Sequence, residues 1–363
     1  MKTIIFACSV KKDLFRIIPI IKKLRKENNR IPYRICYCGP QINYNRFRPL
    51  YEQLEVPEPD FCYKVRGRNY NDQVASLSVS FEETVGKTDP ALIIIPSYYY
   101  LGIAYATVGD RYDIPICLLD GGLRNSEELQ PLSNYRGVID SLASILFITE
   151  ENSLVNLKNE HISCPNTFMT KNVMYDFFNE IEPFLDMQTM EPFITKDNYV
   201  LAYLYTNEKS FDDQRNKTII EVVKHISQTH QIIFTAHSAE SGSWVEKLVD
   251  QHGIKDVKIT GRIEYPAYLA MLKNASFILT DSCNIQEEAS FFNVPCISLQ
   301  KSSERKFTEE YGTNVPVDFD LEKIISVIDN LFTGKKKGPL LRSAFNPGDA
   351  SSIIAEHLMK IQI

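Results

Sequence analysis

The stretch Leu279-Thr280-Asp281-Ser282-Cys283-Asn284-Ile285-Gln286-Glu287-Glu288-Ala289 predicts the repeating unit from which this chain is built. The apolar residues 277–279 predict a short buried strand, the small polar residues after them predict a turn, and residues 286–292 predict the first turns of a helix. A strand–turn–helix junction presents backbone N–H groups at a helix N-terminus, and this arrangement favours an anion.

Two acidic residues suggest that this junction also binds a hydrogen-bond donor of a ligand. We expect Glu287 and Glu288 in the first helical turn, where their carboxylates can accept hydrogen bonds from a ligand. In a typical nucleotide-sugar site, a carboxylate binds the two vicinal hydroxyls of a ribose and nearby backbone amides bind phosphate. The alternative interpretation is an ordinary helix, capped by Ser282 or Asn284, whose glutamates favour the helix dipole.

The remainder of the chain alternates between apolar runs and amphipathic stretches. Such alternation predicts parallel sheets that are covered by helices on both faces. In the first half, strands are predicted at residues 3–7, 33–38, 91–96, 114–119, 143–149 and 168–172. In the second half, strands are predicted at residues 199–204, 231–236, 257–260, 276–280 and 296–299.

A polar, proline-bearing stretch at residues 179–198 separates the two sets of strands. We therefore predict two doubly wound, Rossmann-like α/β domains with ligands in the cleft between them. The first domain comprises residues 1–180, and we expect the C-terminal helix of residues 350–363 to pack back on it. The second comprises residues 181–349.

Composition excludes several classes of protein. The 363 residues are 44% hydrophobic and 24% charged, as is typical of a globular protein, and the net charge of −6 argues against general nucleic-acid binding. No apolar run approaches the roughly 20 residues needed to span a bilayer. The eight scattered cysteines indicate reduced thiols in a cytoplasmic protein. No cluster of residues has metal-ligand spacing, so neither a metal nor a cofactor is predicted.

Several motifs resemble those of the UDP-N-acetylglucosamine 2-epimerase family over nearly the whole chain. Residues 279–289 match the family's L-T-D-S-G-G-I-Q-E-E-A except at the paired glycines, which are Cys283 and Asn284 here. Residues 303–305, 311–314 and 346–350 resemble its T-E-R-P-E, A-G-T-[NV] and N-P-Y-G-D-G/A motifs, and residues 120–124 resemble E-A-G-L-R. The resemblance implies a two-domain, glycosyltransferase-B-like fold and a homodimer.

The resemblance also implies where UDP binds. The second domain would hold it, with backbone amides on the diphosphate, Glu288 on the ribose hydroxyls, and Arg305 and a Gly-Thr turn near the diphosphate. A guanidinium is suited to this task because it can bind two phosphate oxygens at once. The alternative for Arg305 is a surface salt bridge with Glu304 or Glu309. His237 directly follows a predicted strand, where site residues collect, and a phosphate contact is one interpretation of it. The alternative is an ordinary hydrogen-bonded histidine in a loop. The implied UDP-binding residues are Ser282, Cys283, Asn284, Glu288, Arg305, Gly312, Thr313 and His237.

The acid–base groups of the family are less well matched. Those enzymes remove the proton at C2 of the sugar, expel UDP and return it to the opposite face, which requires a base and an acid. Asp120 keeps a carboxylate in place of the family's glutamate, but Ser97 and Thr206 stand at or near positions where the family has aspartate and histidine. We name Asp120, Ser97 and Thr206 as catalytic candidates.

The same resemblance and the local chemistry suggest residues for the sugar itself. Aromatic rings stack on the C–H faces of sugars, although tyrosines at these positions can equally belong to the core. The candidates for the sugar pocket are Tyr98, Arg124 and Arg136.

Three functions are compatible with these residues. The simplest is a divergent UDP-N-acetylglucosamine 2-epimerase, hydrolysing or non-hydrolysing. The second is a glycosyltransferase or nucleotide-sugar hydrolase that uses Asp120 as its sole base. The third is a UDP-sugar-binding protein without catalysis. In each case the expected partner is a small UDP-sugar, with no nucleic-acid polymer and no membrane span.

Overall fold

The computed structural model describes the chain except residues 1–2, 27–30, 40–51, 56–57, 125–129, 186–192, 197, 205–212, 237–238, 262, 264, 334–348 and 361–363. The molecule divides into two compact units. The first is formed by Met1–Glu180 with Pro347–Ile363, and the second by Ile181–Asn346. Among the described residues, no helix is both long and apolar enough to cross a membrane.

The first unit contains a seven-stranded parallel sheet in the order β3-β2-β1-β4-β5-β6-β7. Its strands are β1 Thr3–Cys8, β2 Tyr33–Tyr37, β3 Phe61–Cys62, β4 Pro90–Ile95, β5 Ile116–Leu119, β6 Ile145–Ile148 and β7 Asn166–Met169. Its helices are α1 Lys11–Lys26, α2 Tyr70–Thr88, α3 Gly102–Arg111, α4 Gln130–Leu142, α5 Glu151–Asn159, α6 Val173–Ile181, which ends one residue inside the second unit, and the C-terminal α13 Ala350–Lys360.

Both faces of this sheet are buried, and this explains why its strands are apolar runs. Ile4 and Phe6 of β1 point into a cluster with α1 and α13, whereas Ile5 and Ala7 point into a second cluster with α2 and α3. Side chains alternate between the faces of a strand, so a strand that is covered on both sides needs apolar residues at every position.

The second unit contains a six-stranded parallel sheet in the order β10-β9-β8-β11-β12-β13. Its strands are β8 Tyr199–Tyr203, β9 Gln231–Thr235, β10 Val257–Thr260, β11 Phe277–Thr280, β12 Cys296–Ser298 and β13 Asn314–Pro316. Its helices are α7 Asp213–Ser227, α8 Ala239–Gln251, α9 Tyr265–Asn274, α10 Cys283–Phe291, α11 Lys306–Glu310 and α12 Leu321–Phe332, and a 3₁₀ turn at Glu182–Phe184 precedes them.

Each sheet reverses its winding at one place. In the first sheet the switch lies between β1 and β4, and in the second it lies between β8 and β11. Ligands of doubly wound folds bind beyond the carboxyl ends of the strands at this point, because the connections there run away from each other. The predicted pair of doubly wound, parallel α/β sheets is therefore confirmed.

Candidate active site

The segments that follow β1, β4 and β5 meet at the carboxyl edge of the first sheet. Ser97 follows β4, and Asp120 directly follows β5. Both residues contact helix α1, which begins three residues after β1 ends. Two of the three predicted catalytic residues are thus held by one helix at the switch point.

Asp13, to which no sequence motif pointed, organises the start of helix α1. It is the third residue of α1, and its Oδ2 accepts hydrogen bonds from the amides of Ser9 (2.7 Å) and Val10 (3.0 Å). The Ser97 hydroxyl donates to its other oxygen. Burial raises the pKa of Asp13, although these hydrogen bonds oppose the shift. The available signal was an aspartate directly before the amphipathic stretch of residues 14–27, at the position of a helix N-cap.

Asp120 is buried and paired with Arg16. The Arg16 Nη1 contacts Asp120 Oδ2, and the two side chains are only 4% and 3% exposed. Asp120 has φ of 62°, in the left-handed region that aspartate tolerates better than most residues. Arg16 lies one helical turn after Asp13, so the first two turns of α1 carry both contacts.

The predicted sugar-pocket residues gather around Asp140, a second buried acid to which no sequence motif pointed. The Tyr98 hydroxyl donates to Asp140, and Arg124 Nη2 lies 2.8 Å from Asp140 Oδ2. The guanidinium of Arg136 stands 5.1 Å from the centre of the Tyr98 ring. Burial and the charge of Asp140 raise the pKa of Tyr98, so this phenol stays protonated.

This cluster supports the turn that follows Asp120. The Gly122 amide donates to the Tyr98 oxygen at 2.6 Å and to Asp140 Oδ1 at 3.2 Å. Arg124 also makes two hydrogen bonds, of 2.7 and 2.6 Å, to Glu160. The structure brings Tyr98, Arg124 and Arg136 together. Tyr98 and Arg124 contact carboxylates of the protein itself, whereas Arg136 lies on the Tyr98 ring and donates to Leu123 O at 3.4 Å.

In the second unit the predicted strand–turn–helix is present and consists of β11, the turn after it and helix α10. Helix α10 begins at Cys283, earlier than expected, with Ser282 at the N-cap position but without a side-chain capping bond. The expectation that Glu287 and Glu288 occupy the first turn is therefore wrong, since they lie in the second turn. The Ser282 amide donates to Thr280 Oγ1 at 3.1 Å, and the amides of Cys283 and Asn284 belong to the first turn of α10.

The two glutamates of α10 have different partners. Glu287 Oε1 lies 2.5 Å from Arg305 Nε, with the side chains 1% and 6% exposed. Because Arg305 is buried, the alternative interpretation as a surface salt bridge is wrong. Glu288 is also buried, and its Oε1 accepts a 2.7 Å hydrogen bond from the hydroxyl of Tyr265.

The Gly-Thr turn packs against the same helix. The Gly312 amide donates to Phe307 O at 3.1 Å, and the Thr313 amide donates to Ser290 Oγ at 3.3 Å, so both amides are used within the protein. Within the described part of the chain, the buried Thr313 Oγ1 has no hydrogen-bond partner. This hydroxyl is therefore a candidate contact for a ligand.

A chain of side-chain amides holds the turn between β11 and α10. Gln300 Nε2 donates to Asp281 O and Gln286 Nε2 donates to Gln300 Oε1, both at 2.8 Å. Asn314 Nδ2 donates to Gln286 Oε1 at 3.1 Å. Sequence spacing gave no signal for this network, because its three side chains come from three separate segments.

Two predicted site residues, Thr206 and His237, lie outside the described residues. In the part of the chain that the structure describes, no group of three or more His, Cys, Asp or Glu residues is placed to hold a metal ion.

The family is decided by a comparison with protein-family models. The model described as UDP-N-acetylglucosamine 2-epimerase matches residues 22–359. The chain belongs to this family. Among its relatives, the UDP-N-acetylglucosamine 2-epimerase of Methanocaldococcus jannaschii is 27% identical over 345 residues, which cover 89% of this chain and 90% of the relative.

Other members of the family show the same similarity of length and fold. The UDP-2,3-diacetamido-2,3-dideoxy-D-glucuronate 2-epimerase of Pseudomonas aeruginosa is 24% identical over 94% of this chain and 95% of its own. The crystal structure of the Neisseria meningitidis UDP-GlcNAc 2-epimerase bound to UDP-GlcNAc superposes with a TM-score of 0.85 at 20% identity, covering 99% of this chain and 100% of that chain. This likeness shows the glycosyltransferase-B-like fold.

Proposed function

We propose that this chain is an isomerase that inverts C2 of UDP-N-acetylglucosamine or of a closely related UDP-2-acetamido sugar. The observation that carries the proposal is the family match over residues 22–359, together with the turn–helix at residues 281–291 that follows β11 at the switch point. The Pseudomonas relative, named for a diacetamido glucuronate, supports a substrate class wider than one sugar.

In this proposal the second unit holds UDP. The amides of Cys283 and Asn284 at the start of α10 bind the diphosphate, since a helix N-terminus favours negative charge. Arg305 and the Thr313 hydroxyl lie close to the same phosphates, and Glu288 accepts the ribose hydroxyls. His237 and the Gly312 turn stay predictions for the phosphate side.

The first unit would then act on the sugar. One group takes the C2 proton while the bond from C1 to the UDP oxygen breaks, and the unsaturated sugar then receives UDP at C1 and a proton at the opposite face of C2. Asp120 is one candidate for a proton carrier. The second is Ser97 with Asp13 behind it, because a carboxylate that accepts the serine hydrogen bond can take up a proton passed through the hydroxyl. Thr206, Tyr98, Arg124 and Arg136 stay predictions for the acid–base and sugar contacts.

Proton NMR in deuterium oxide tests this function. With UDP-N-acetylglucosamine, we expect the C2 proton signal to decay as deuterium enters from solvent. UDP release without C2 exchange would contradict epimerisation and indicate hydrolysis or transfer through a single carboxylate. UDP binding with neither event, for this and related UDP-2-acetamido sugars, would indicate a binding protein.

Asp120→Asn tests the proton carrier under conditions where urea unfolding shows the variant to be folded, because the substitution also removes the charge that pairs with the buried Arg16. We expect C2 exchange to slow by about 10²–10⁴-fold, since a positioned general base contributes an effect of this size. The dissociation constant for UDP should change little, because the proposed UDP residues lie in the other unit. Asp110→Asn, an exposed aspartate of the same unit, is the matched control and should leave both quantities unchanged. Unchanged exchange in Asp120→Asn would remove Asp120 from the reaction.

We also propose that the protein acts as a cytoplasmic homodimer, as the family resemblance implies. Light scattering after size-exclusion chromatography should then give a mass near twice the 41.7 kDa of one chain. A monomeric mass across the concentrations used for activity would contradict the assembly.

A further inference from the structure

Glu288 accepts a hydrogen bond from Tyr265 of the neighbouring helix α9, a residue that belongs to none of the family motifs. Tyr265, the first residue of α9, donates its hydroxyl to Glu288 Oε1 at 2.7 Å. Glu288 is almost fully buried, whereas Tyr265 is half-buried. A hydrogen bond from a neutral donor to a buried carboxylate is among the stronger ones in proteins.

A second tyrosine, one turn further along α9, reinforces this arrangement. The rings of Tyr265 and Tyr268 are nearly parallel, with centroids 6.1 Å apart and planes at 15°. Burial and the negative charge of Glu288 raise the pKa of Tyr268 well above its ordinary value. The side of α9 that faces Glu288 therefore presents the donating hydroxyl of Tyr265 and the protonated phenol of Tyr268. These two groups restrict the orientation of the carboxylate.

A glutamate side chain needs such restraint if it is to recognise a ribose. Its three rotatable bonds allow many orientations. The carboxylate must hold a single orientation, however, to accept hydrogen bonds from two vicinal hydroxyls. We infer that Tyr265 is a positioning residue that orients the Glu288 carboxylate toward the 2′- and 3′-hydroxyls of the nucleotide ribose, and so sets the preference for ribonucleotides. This inference rests on the proposed function, in which Glu288 binds ribose.

A purely structural role would look different in solution. If Tyr265 only tied α9 to α10, its loss would loosen the whole site, and every nucleotide would lose affinity equally. If it orients Glu288, the loss falls on ligands that carry both hydroxyls. The ratio of affinities for UDP and 2′-deoxy-UDP separates the two roles, whatever happens to overall stability.

Tyr265→Phe is the variant that removes only the donor. By isothermal titration calorimetry we expect UDP to bind about ten-fold more weakly, whereas 2′-deoxy-UDP changes by less than about two-fold. Tyr199→Phe is the matched control. The Tyr199 hydroxyl, at the amino end of β8, also donates to α9, with Met271 O as the acceptor at 2.6 Å. This variant should leave the affinity ratio unchanged.

Glu288→Gln completes a double-mutant cycle. We expect this variant to lose the ribose preference, and Tyr265→Phe added to it should weaken UDP binding by less than about two-fold further. Equal losses for UDP and 2′-deoxy-UDP in Tyr265→Phe, or independent effects of the two substitutions, would overturn the inference while Glu288 keeps its role. Failure of the unsubstituted protein to bind UDP at all would instead overturn the proposed function, and the inference with it.

Discussion

Buried charge governs the residues around both candidate sites. Arg16 with Asp120, and Arg305 with Glu287, are ion pairs whose side chains are at least 94% removed from solvent. Removing water from a charge is expensive, so each member depends on its partner. Loss of one partner removes a counter-charge from a buried group, and this costs more free energy than loss of a surface pair.

Glu287→Gln makes this difference measurable. We expect it to lower the free energy of unfolding by about 3 kcal/mol, because the buried guanidinium of Arg305 loses its counter-charge. Glu221→Gln is the control in the same unit, since Glu221 pairs with Lys224 at 2.9 Å while 54% exposed, and it should cost less than about 1 kcal/mol. Urea unfolding measures both, and equal effects would contradict the role of burial.

Gly312 packs closely against the backbone of Thr308, which leaves no room for a side chain. A Cβ there would collide with Thr308 O and Ser290 Oγ, whereas one at Gly261 would meet nothing within 4 Å. Gly312→Ala should therefore destabilise the protein by about 1–3 kcal/mol, and Gly261→Ala should not. Thermal unfolding of the two variants checks this, and a neutral Gly312→Ala would show that the turn can shift.

At the scale of elements, helix α13 depends on a contact from another helix. Its apolar residues Ile354 and Leu358 pack into the core with β1 and α1. At its start, the Ser351 amide donates to Asp176 Oδ2 of α6 at 2.7 Å. This side chain satisfies one of the amides that a helix N-terminus leaves without an intrahelical partner.

Asp176 should make stability depend on pH. Burial raises its pKa above the ordinary 3.8, with Asp349 raising it further, while the Ser351 hydrogen bonds and Lys23 lower it. The folded state therefore binds the proton more tightly than the unfolded chain, so this contribution to stability falls as the pH rises from about 4 through the raised pKa.

Asp176→Asn isolates that contribution, because an asparagine oxygen can still accept from Ser351. We expect the variant to lose less stability than the unsubstituted protein between pH 4 and pH 7, as measured by urea unfolding across this range. Parallel pH profiles for the two proteins would show that Asp176 does not titrate differently on folding.

At the scale of the whole molecule, the two units carry separate proposed tasks. The nucleotide residues belong to the second unit and the proton carriers to the first. Hydrogen exchange can follow each unit, because amides of ordered elements exchange in proportion to local opening.

UDP alone should protect residues 265–291, around α9 and α10, by binding the second unit. UDP-N-acetylglucosamine should add protection at residues 9–16 and 97–100 of the first unit, where the sugar is expected. Hydrogen-exchange mass spectrometry gives both patterns. Equal protection of the first unit by UDP alone would contradict the division of tasks.

Local periodicity was sufficient for much of the architecture. Runs such as Leu92–Ile95 are apolar throughout because both faces of the sheet are buried, so the pattern predicts a parallel sheet without knowledge of its neighbours. Elements that are short or only weakly periodic carried no such signal, and β3, β13 and helices α4, α5, α6 and α11 were not predicted. The I-Q-E-E-A run likewise located the helix, but not its first residue.

The partners of the site residues were decided by tertiary structure alone. Arg16 and Asp120 are 104 residues apart in sequence, and they meet only because β4 and β5 follow β1 across the sheet. Asp13 with Ser97, and Tyr265 with Glu288, depend equally on strand order and helix packing. A sequence therefore determines which segments are buried, since burial follows local pattern, whereas the pairing of buried polar groups follows from long-range order that no local period encodes.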